Sequence, residues 1–209
     1  DGTSTAGSAA AGLTAVADRG LHLADFDLDG VLDLVRRDLN VTRLYLTTAG
    51  VFGAATVVDG DATVQGEGLS VCDINSDGFE DVLVASNAVA TGKGKPRLLL
   101  NVDGQFIRSD LPSVISAGAD TLVAANDLLT CADLDGSGAP DIVARWDKTR
   151  VLRQVLPLAS TLQIRVLGAG GERNQQGRIV RIVPAATPGR TLTRVIESGS
   201  GLRSQGAYD

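Results

Sequence analysis

The pattern D-x-[DN]-x-[DS]-G-x-x-D occurs three times in this chain, and no other feature constrains its fold as tightly. It reads DFDLDGVLD at 25–33, DINSDGFED at 73–81 and DLDGSGAPD at 133–141, each time running into a short apolar stretch. The first aspartates are Asp25, Asp73 and Asp133, so the periods are 48 and 60 residues. Self-similarity on that scale marks an array of supersecondary units that bury their faces on one another. The likeness continues downstream: TRLYLTTAGVF (42–52) aligns with PRLLLNVDGQF (96–106), with Phe52 and Phe106 in matching places after a glycine. An insert around ATGKGK lengthens the second copy, and the third follows the pattern through TRVLRQ (149–154) before departing from it.

Like charges packed this densely repel one another and need a positive partner. Alternate residues at positions 1, 3 and 5 turn their oxygens toward one centre. Glycine at position 6 permits the sharp turn, position 7 can offer its carbonyl, and aspartate at position 9 closes the cage. Hard, charged oxygens on a flexible loop suit Ca²⁺ better than a transition metal or octahedral Mg²⁺. The expected ligands are Asp25, Asp27, Asp29, the Val31 carbonyl and Asp33 in the first turn. In the second they are Asp73, Asn75, Asp77, the Phe79 carbonyl and Asp81. In the third they are Asp133, Asp135, Ser137, the Ala139 carbonyl and Asp141, where Ser137 replaces a carboxylate and predicts the weakest site. Three ions would bring +6 against a net charge of −6. The bland alternative is a set of aspartate turns whose side chains cap backbone amides. An EF-hand loop begins alike but needs a carboxylate at position 12 and flanking helices; here position 12 is Arg36, Val84 or Ala144, between strand-like flanks.

The rest of the chain reads as β-structure. Its apolar residues are mostly Val, Leu, Ile and Ala in short runs broken by Gly, Asp, Asn and Ser, with 25 glycines and only 3% aromatics. That is the texture of short strands and tight turns, without a sustained helical period. No apolar run is long enough for a membrane span. The opening DGTSTAGSAAAGLT lacks the basic and apolar regions of a signal peptide, and the absence of methionine suggests a mature form or a fragment. Charge divides near residue 151: residues 1–150 carry 22 acidic and 11 basic side chains, residues 151–209 carry 3 and 8. The dispersed arginines of the second part, without interleaved aromatics, read as a solvated β face and not as a nucleic-acid surface. Cys72 and Cys131 are too few for a disulfide framework and are expected as small buried hydrophobes, not as a pair.

Taken together, these residues resemble the FG-GAP/VCBS repeats, the blades of integrin α-subunit propellers and of many secreted bacterial proteins. The resemblance spans about residues 12–155 and implies an all-β fold of propeller-type blades in which Ca²⁺ stiffens a hairpin. Residues 156–209, with LQIRVLG, the N-x-x-G-R-I-V segment from Asn174 to Val180, and RVIESGSGLRSQ, resemble the ASPIC/UnbV module that follows such repeats. Leu202 stands where relatives usually have tyrosine, and the chain stops before the family's usual ending. The expected domains are therefore 1–155 for the repeats and 156–209 for a C-terminal β unit. Three blades do not close a ring, so the C-terminal unit, an open stack or another chain must deal with the open sheet edges. Self-assembly into an oligomer or filament, through an edge or the segment DGTSTAGSAAAG, is one outcome.

No catalytic constellation is visible. His22 is the single histidine, on the strand leading into the first turn, and GAGGER (168–173) reads as a hairpin turn and not a phosphate loop. The expectation is a non-enzymatic adhesion, structural or interaction module working outside the cytoplasm, with an unidentified protein or glycan partner. A glycan-binding propeller or an accessory domain of a secreted hydrolase is the alternative.

Overall fold

A computed structural model describes residues 13, 19–38, 40–60, 68–85, 97–110, 128–145, 149–153, 162, 164–171 and 177–196. The opening segment, the ATGKGK insert, Gln154 and the chain beyond 196 lie outside the described residues, as do the first three residues (174–176) of the N-x-x-G-R-I-V stretch. All regular structure among the described residues is antiparallel β.

The first sheet is formed by β1 (Gly20–Ala24), β2 (Asp33–Arg37), β3 (Val41–Tyr45) and β6 (Thr56–Gly60), adjacent in that order. The small hairpin of β4 (Thr47–Thr48) and β5 (Val51–Phe52) projects between β3 and β6. A second four-stranded meander runs β7 (Leu69–Cys72), β8 (Asp81–Val84), β9 (Arg97–Val102), β10 (Gln105–Asp110). The third sheet contains β11 (Leu128–Ala132), β12 (Asp141–Arg145) and β13 (Thr149–Leu152), and β14 (Ile179–Ile182) pairs with β15 (Leu192–Val195). Four-stranded antiparallel sheets joined in this order are propeller-type blades, the architecture expected from the repeats.

The aligned segments 42–52 and 96–106 do adopt equivalent hairpins. Both turns place two successive residues at positive φ, Ala49–Gly50 and Asp103–Gly104. That is the backbone of a two-residue turn whose twist matches the flanking strands.

Strand periodicity decides how the blades stack. Alternate residues point to opposite faces, so one face of the second blade meets the first and the other meets the third. Ala24, Val35 and Leu44 of the first blade pack with Leu69, Val71, Val82, Val84 and Leu99 of the second. Ile74, Leu83 and Leu98 of the second pack with Leu129, Ile142, Ala144 and Leu152 of the third. Strand β7 lies against β1 on one side and β11 on the other. The approach of β1 to β7 is close enough that a Cβ at Gly20 would stand 2.7 Å from the Leu69 Cβ.

One expectation is corrected here. Cys72 and Cys131 form a disulfide, joining β7 to β11 across the second and third blades. The repeat places both residues just ahead of an acidic turn, and the stacking of β7 on β11 then sets the two at bonding distance. Counting cysteines could not reveal this, because the pairing depends on which strands become neighbours.

Candidate metal centre

Each acidic turn joins the first two strands of its blade: β1 to β2, β7 to β8, β11 to β12. The three turns share one backbone. Position 4 has positive φ in every copy, at Leu28, Ser76 and Gly136, and so does position 6, at Gly30, Gly78 and Gly138. Positive φ is costly for Leu28 and Ser76; its recurrence reflects a turn held by its side-chain hydrogen bonds.

Those bonds are also equivalent. The position 1 carboxylate accepts the position 6 amide: Gly30 N to Asp25 Oδ2 (3.1 Å), Gly78 N to Asp73 Oδ2 (2.9 Å), Gly138 N to Asp133 Oδ2 (2.8 Å). The position 5 side chain accepts the position 7 amide, from Val31 to Asp29, Phe79 to Asp77 and Ala139 to Ser137. Position 9 staples the turn to its blade. Asp33 accepts from Phe26 N (2.9 Å) and Thr47 N (2.8 Å), Asp81 from Ile74 N and Asn101 N (2.8 Å each), and Asp141 from Leu134 N (3.2 Å). Asn101 also donates from Nδ2 to the Phe26 carbonyl at 2.8 Å, tying the second blade to the first turn.

Positions 1, 3 and 5 differ between copies. In the first turn, one carboxylate oxygen from each of Asp25, Asp27 and Asp29 comes within 4.8 Å of the others. Asp25 is fully buried, and its Oδ1 has no hydrogen-bond partner. The buried Thr193 hydroxyl lies near enough to favour the charged form, yet neither Asp25 Oδ1 nor Thr193 Oγ1 completes a hydrogen bond. In the second turn Asn75 Nδ2 donates to Asp77 Oδ2 (2.9 Å), and the Asp73 carboxylate also takes the Asp77 amide. In the third, Asp135 accepts from Ser137 N and pairs with Arg153 Nη1 at 2.9 Å.

Electrostatics show what the turns lack. Burial pushes the Asp33 and Asp73 carboxyls up to about 6 and Asp81 up to about 7, against the amides that they accept. Burial also raises Asp25 and Asp27, and neighbouring carboxylates add to the effect. Buried carboxyls that hold protons this well have too little positive charge around them to offset their desolvation, and at Asp73 the nearby Arg194 offsets it only in part. A hard cation would supply that charge, and Asp25, Asp27 and Asp29, with Asp25 Oδ1 unpartnered, are a donor set that could hold one. Asp135 is the exception: Ser137 and Arg153 hold it below the usual carboxylate range.

His22 lies buried on β1, lining an open cleft of about 880 Å³ with Asp73, Glu80, Asp133 and Arg194. Two features escaped sequence reading. Asp59 of β6 is buried between Arg37 and Arg97, with Arg97 Nη1 2.9 Å from both its oxygens. The β14–β15 hairpin lies across the first two turns, with Thr191 N donating to the Leu28 carbonyl at 3.0 Å. The basic residues after position 151, expected as a solvated face, instead supply Arg181 and Arg194 to that docking.

No curated protein matches the chain. Residues 25–84, which hold the first two acidic turns and the strands between them, match the FG-GAP-like repeat family.

Proposed function

We propose that this protein is a calcium-holding, non-enzymatic β-repeat module that works outside the cytoplasm and meets a protein or glycan through the loops and edges of its blades. The observation that carries the reading is the convergence of Asp25, Asp27 and Asp29 to within 4.8 Å of one another, in a turn where the buried Asp25 keeps one oxygen, Oδ1, without a hydrogen-bond partner. Asp25, Asp27 and Asp29 would hold the ion in the first turn, with Asp33 bracing the turn from behind. Asp73, Asn75 and Asp77 would do so in the second, braced by Asp81. The third, with Ser137 in place of a carboxylate and Asp135 already paired to Arg153, is the weakest. The ion supplies positive charge where the fold concentrates negative charge, and it thereby rigidifies the hairpins that present the loops.

Two features support an extracellular location. The Cys72–Cys131 disulfide suits an oxidising compartment, and extracellular-type calcium sites of about 10⁻⁴–10⁻³ M stay empty at cytosolic calcium levels. Thermal unfolding in calcium, magnesium and chelator tests the reading. At 100-fold excess over Kd each filled site adds about 2.7 kcal/mol, so calcium should raise the midpoint by several degrees and magnesium by much less. An identical midpoint in all three would refute it.

A further inference from the structure

The β14–β15 hairpin brings an arginine to each of the first two turns, and the two contacts differ in kind. At the first turn Arg181 Nε donates to the Gly30 carbonyl at 3.1 Å, and no arginine among the described residues forms an ion pair with Asp25, Asp27 or Asp29. At the second, Arg194 Nη2 donates to the equivalent carbonyl of Gly78 at 3.3 Å and stands 3.9 Å from Asp73 Oδ2. Its Nε lies 2.9 Å from Glu80 Oε1. Position 8, where Glu80 stands, is Leu32 in the first turn and Pro140 in the third, so this clamp is specific to the second. Leu192 seals the contact: a Cβ at Gly78 would come within 3.3 Å of its Cδ2.

We propose that Arg194 is the resident cation of the second turn and that the C-terminal hairpin is a calcium-sensitive latch. This inference rests on the calcium reading above. A divalent ion held by Asp73 and Asp77 would sit a few ångströms from the guanidinium, and like charges at that range repel strongly. Arg194 and calcium are therefore alternatives at Asp73. By linkage, whatever removes the arginine tightens calcium, and calcium at this turn weakens the hairpin's hold by the same factor. Among the described residues the first turn has no such competitor at its carboxylates, so it fills first and leaves the latch closed. The second fills at higher calcium and opens it, freeing Glu80, Arg194 and the cleft beneath.

The test uses the full chain in two arms. Calorimetric calcium titration of the wild type should resolve a tighter and a weaker site, and Arg194→Gln should tighten the weaker one by about tenfold while leaving the tighter one unchanged. In wild-type NMR spectra the Arg194 Nε–H and the Thr191 amide should be protected from solvent exchange in chelator and through the first phase, then lose protection as the second site fills. A weaker site that is unchanged or weakened in Arg194→Gln, or protection that persists at saturating calcium, overturns the latch but not calcium binding. Absence of any calcium heat in the wild type overturns both.

Discussion

At the scale of single residues, Asp25 is the most consequential position in the molecule. Its carboxylate is buried, one oxygen holds the Gly30 amide, and the other is unsatisfied. Asp25→Asn keeps an oxygen for Gly30 while removing a charge that burial disfavours. We expect the variant to be at least as stable as wild type in chelator, yet to lose one bound calcium and about 2.7 kcal/mol of calcium-dependent stabilisation at 100-fold excess. Denaturant titrations in both buffers, with calcium stoichiometry, check both halves. The raised carboxyls also set a pH dependence. Asp33 and Asp73 titrate near 6 and Asp81 near 7 in the folded state, above the ordinary value near 3.9. Between those values the folded chain binds more protons than the unfolded one, so metal-free stability falls as pH rises from about 4 to about 7. Calcium competes with those protons and should flatten or reverse the slope. Unfolding midpoints at pH 5, 6 and 7.5, with and without chelator, would expose the opposite sign if the carboxyls were already compensated.

At the scale of elements, the repeat is a strand, an acidic turn and a second strand, and two of the turn's internal bonds, from the position 6 amide to position 1 and from the position 7 amide to position 5, recur in all three copies. That much was legible: the spacing of Asp, Gly and Asp identified the turns, and the alternation of apolar residues identified the strands on either side. Position 9 shows where reading stopped: it stood among the expected ligands, and the spacing gave no sign that Asp33 and Asp81 would also each accept two backbone amides, one of them from a distant strand. The partner amides, Thr47 and Asn101, are 14 and 20 residues away and come into reach only through strand pairing. The disulfide belongs to the same scale. It closes a segment of 59 residues between β7 and β11, which in the chain-entropy account is worth about 4 kcal/mol. Cys72→Ala with Cys131→Ala should lower stability by that order, and reduction of the wild type should do the same. Equal midpoints for reduced and oxidised protein would show that blade stacking alone holds β7 on β11.

At the scale of the whole molecule, both apolar cores among the described residues lie between neighbouring blades. Leu98 is fully buried on the second blade and packs in the cluster shared with Leu129, Ile142 and Leu152 of the third. Leu98→Ala should cost about 2–5 kcal/mol, and because the cavity lies between two sheets, circular dichroism should show one transition shifted downward. A separate early transition, leaving the first two blades folded, would mean that the blades melt as independent units. The buried Arg37–Asp59–Arg97 cluster adds a polar contact between the first and second blades: burial and the neighbouring Arg97 lower the Arg37 pKa, while the Asp59 charge opposes them. Such a group is costly unless its partners are held in place, and here strands from both sheets hold them.

The chain by itself determined the local features: three equivalent acidic turns, hairpins with two residues at positive φ, and strands of period two. Each depends on residues within a dozen positions of one another, where sequence spacing and spatial proximity coincide. Only the tertiary structure decided the Cys72–Cys131 bond, the Asn101 bridge to Phe26, the Asp59 cluster and the seating of Arg194 on the second turn. Those partners lie 22 to 121 residues apart, and no local pattern encodes them. They meet because the sheets stack on shared apolar cores, which brings strands distant in sequence together, and the charges and thiols carried on those strands are paired as a result.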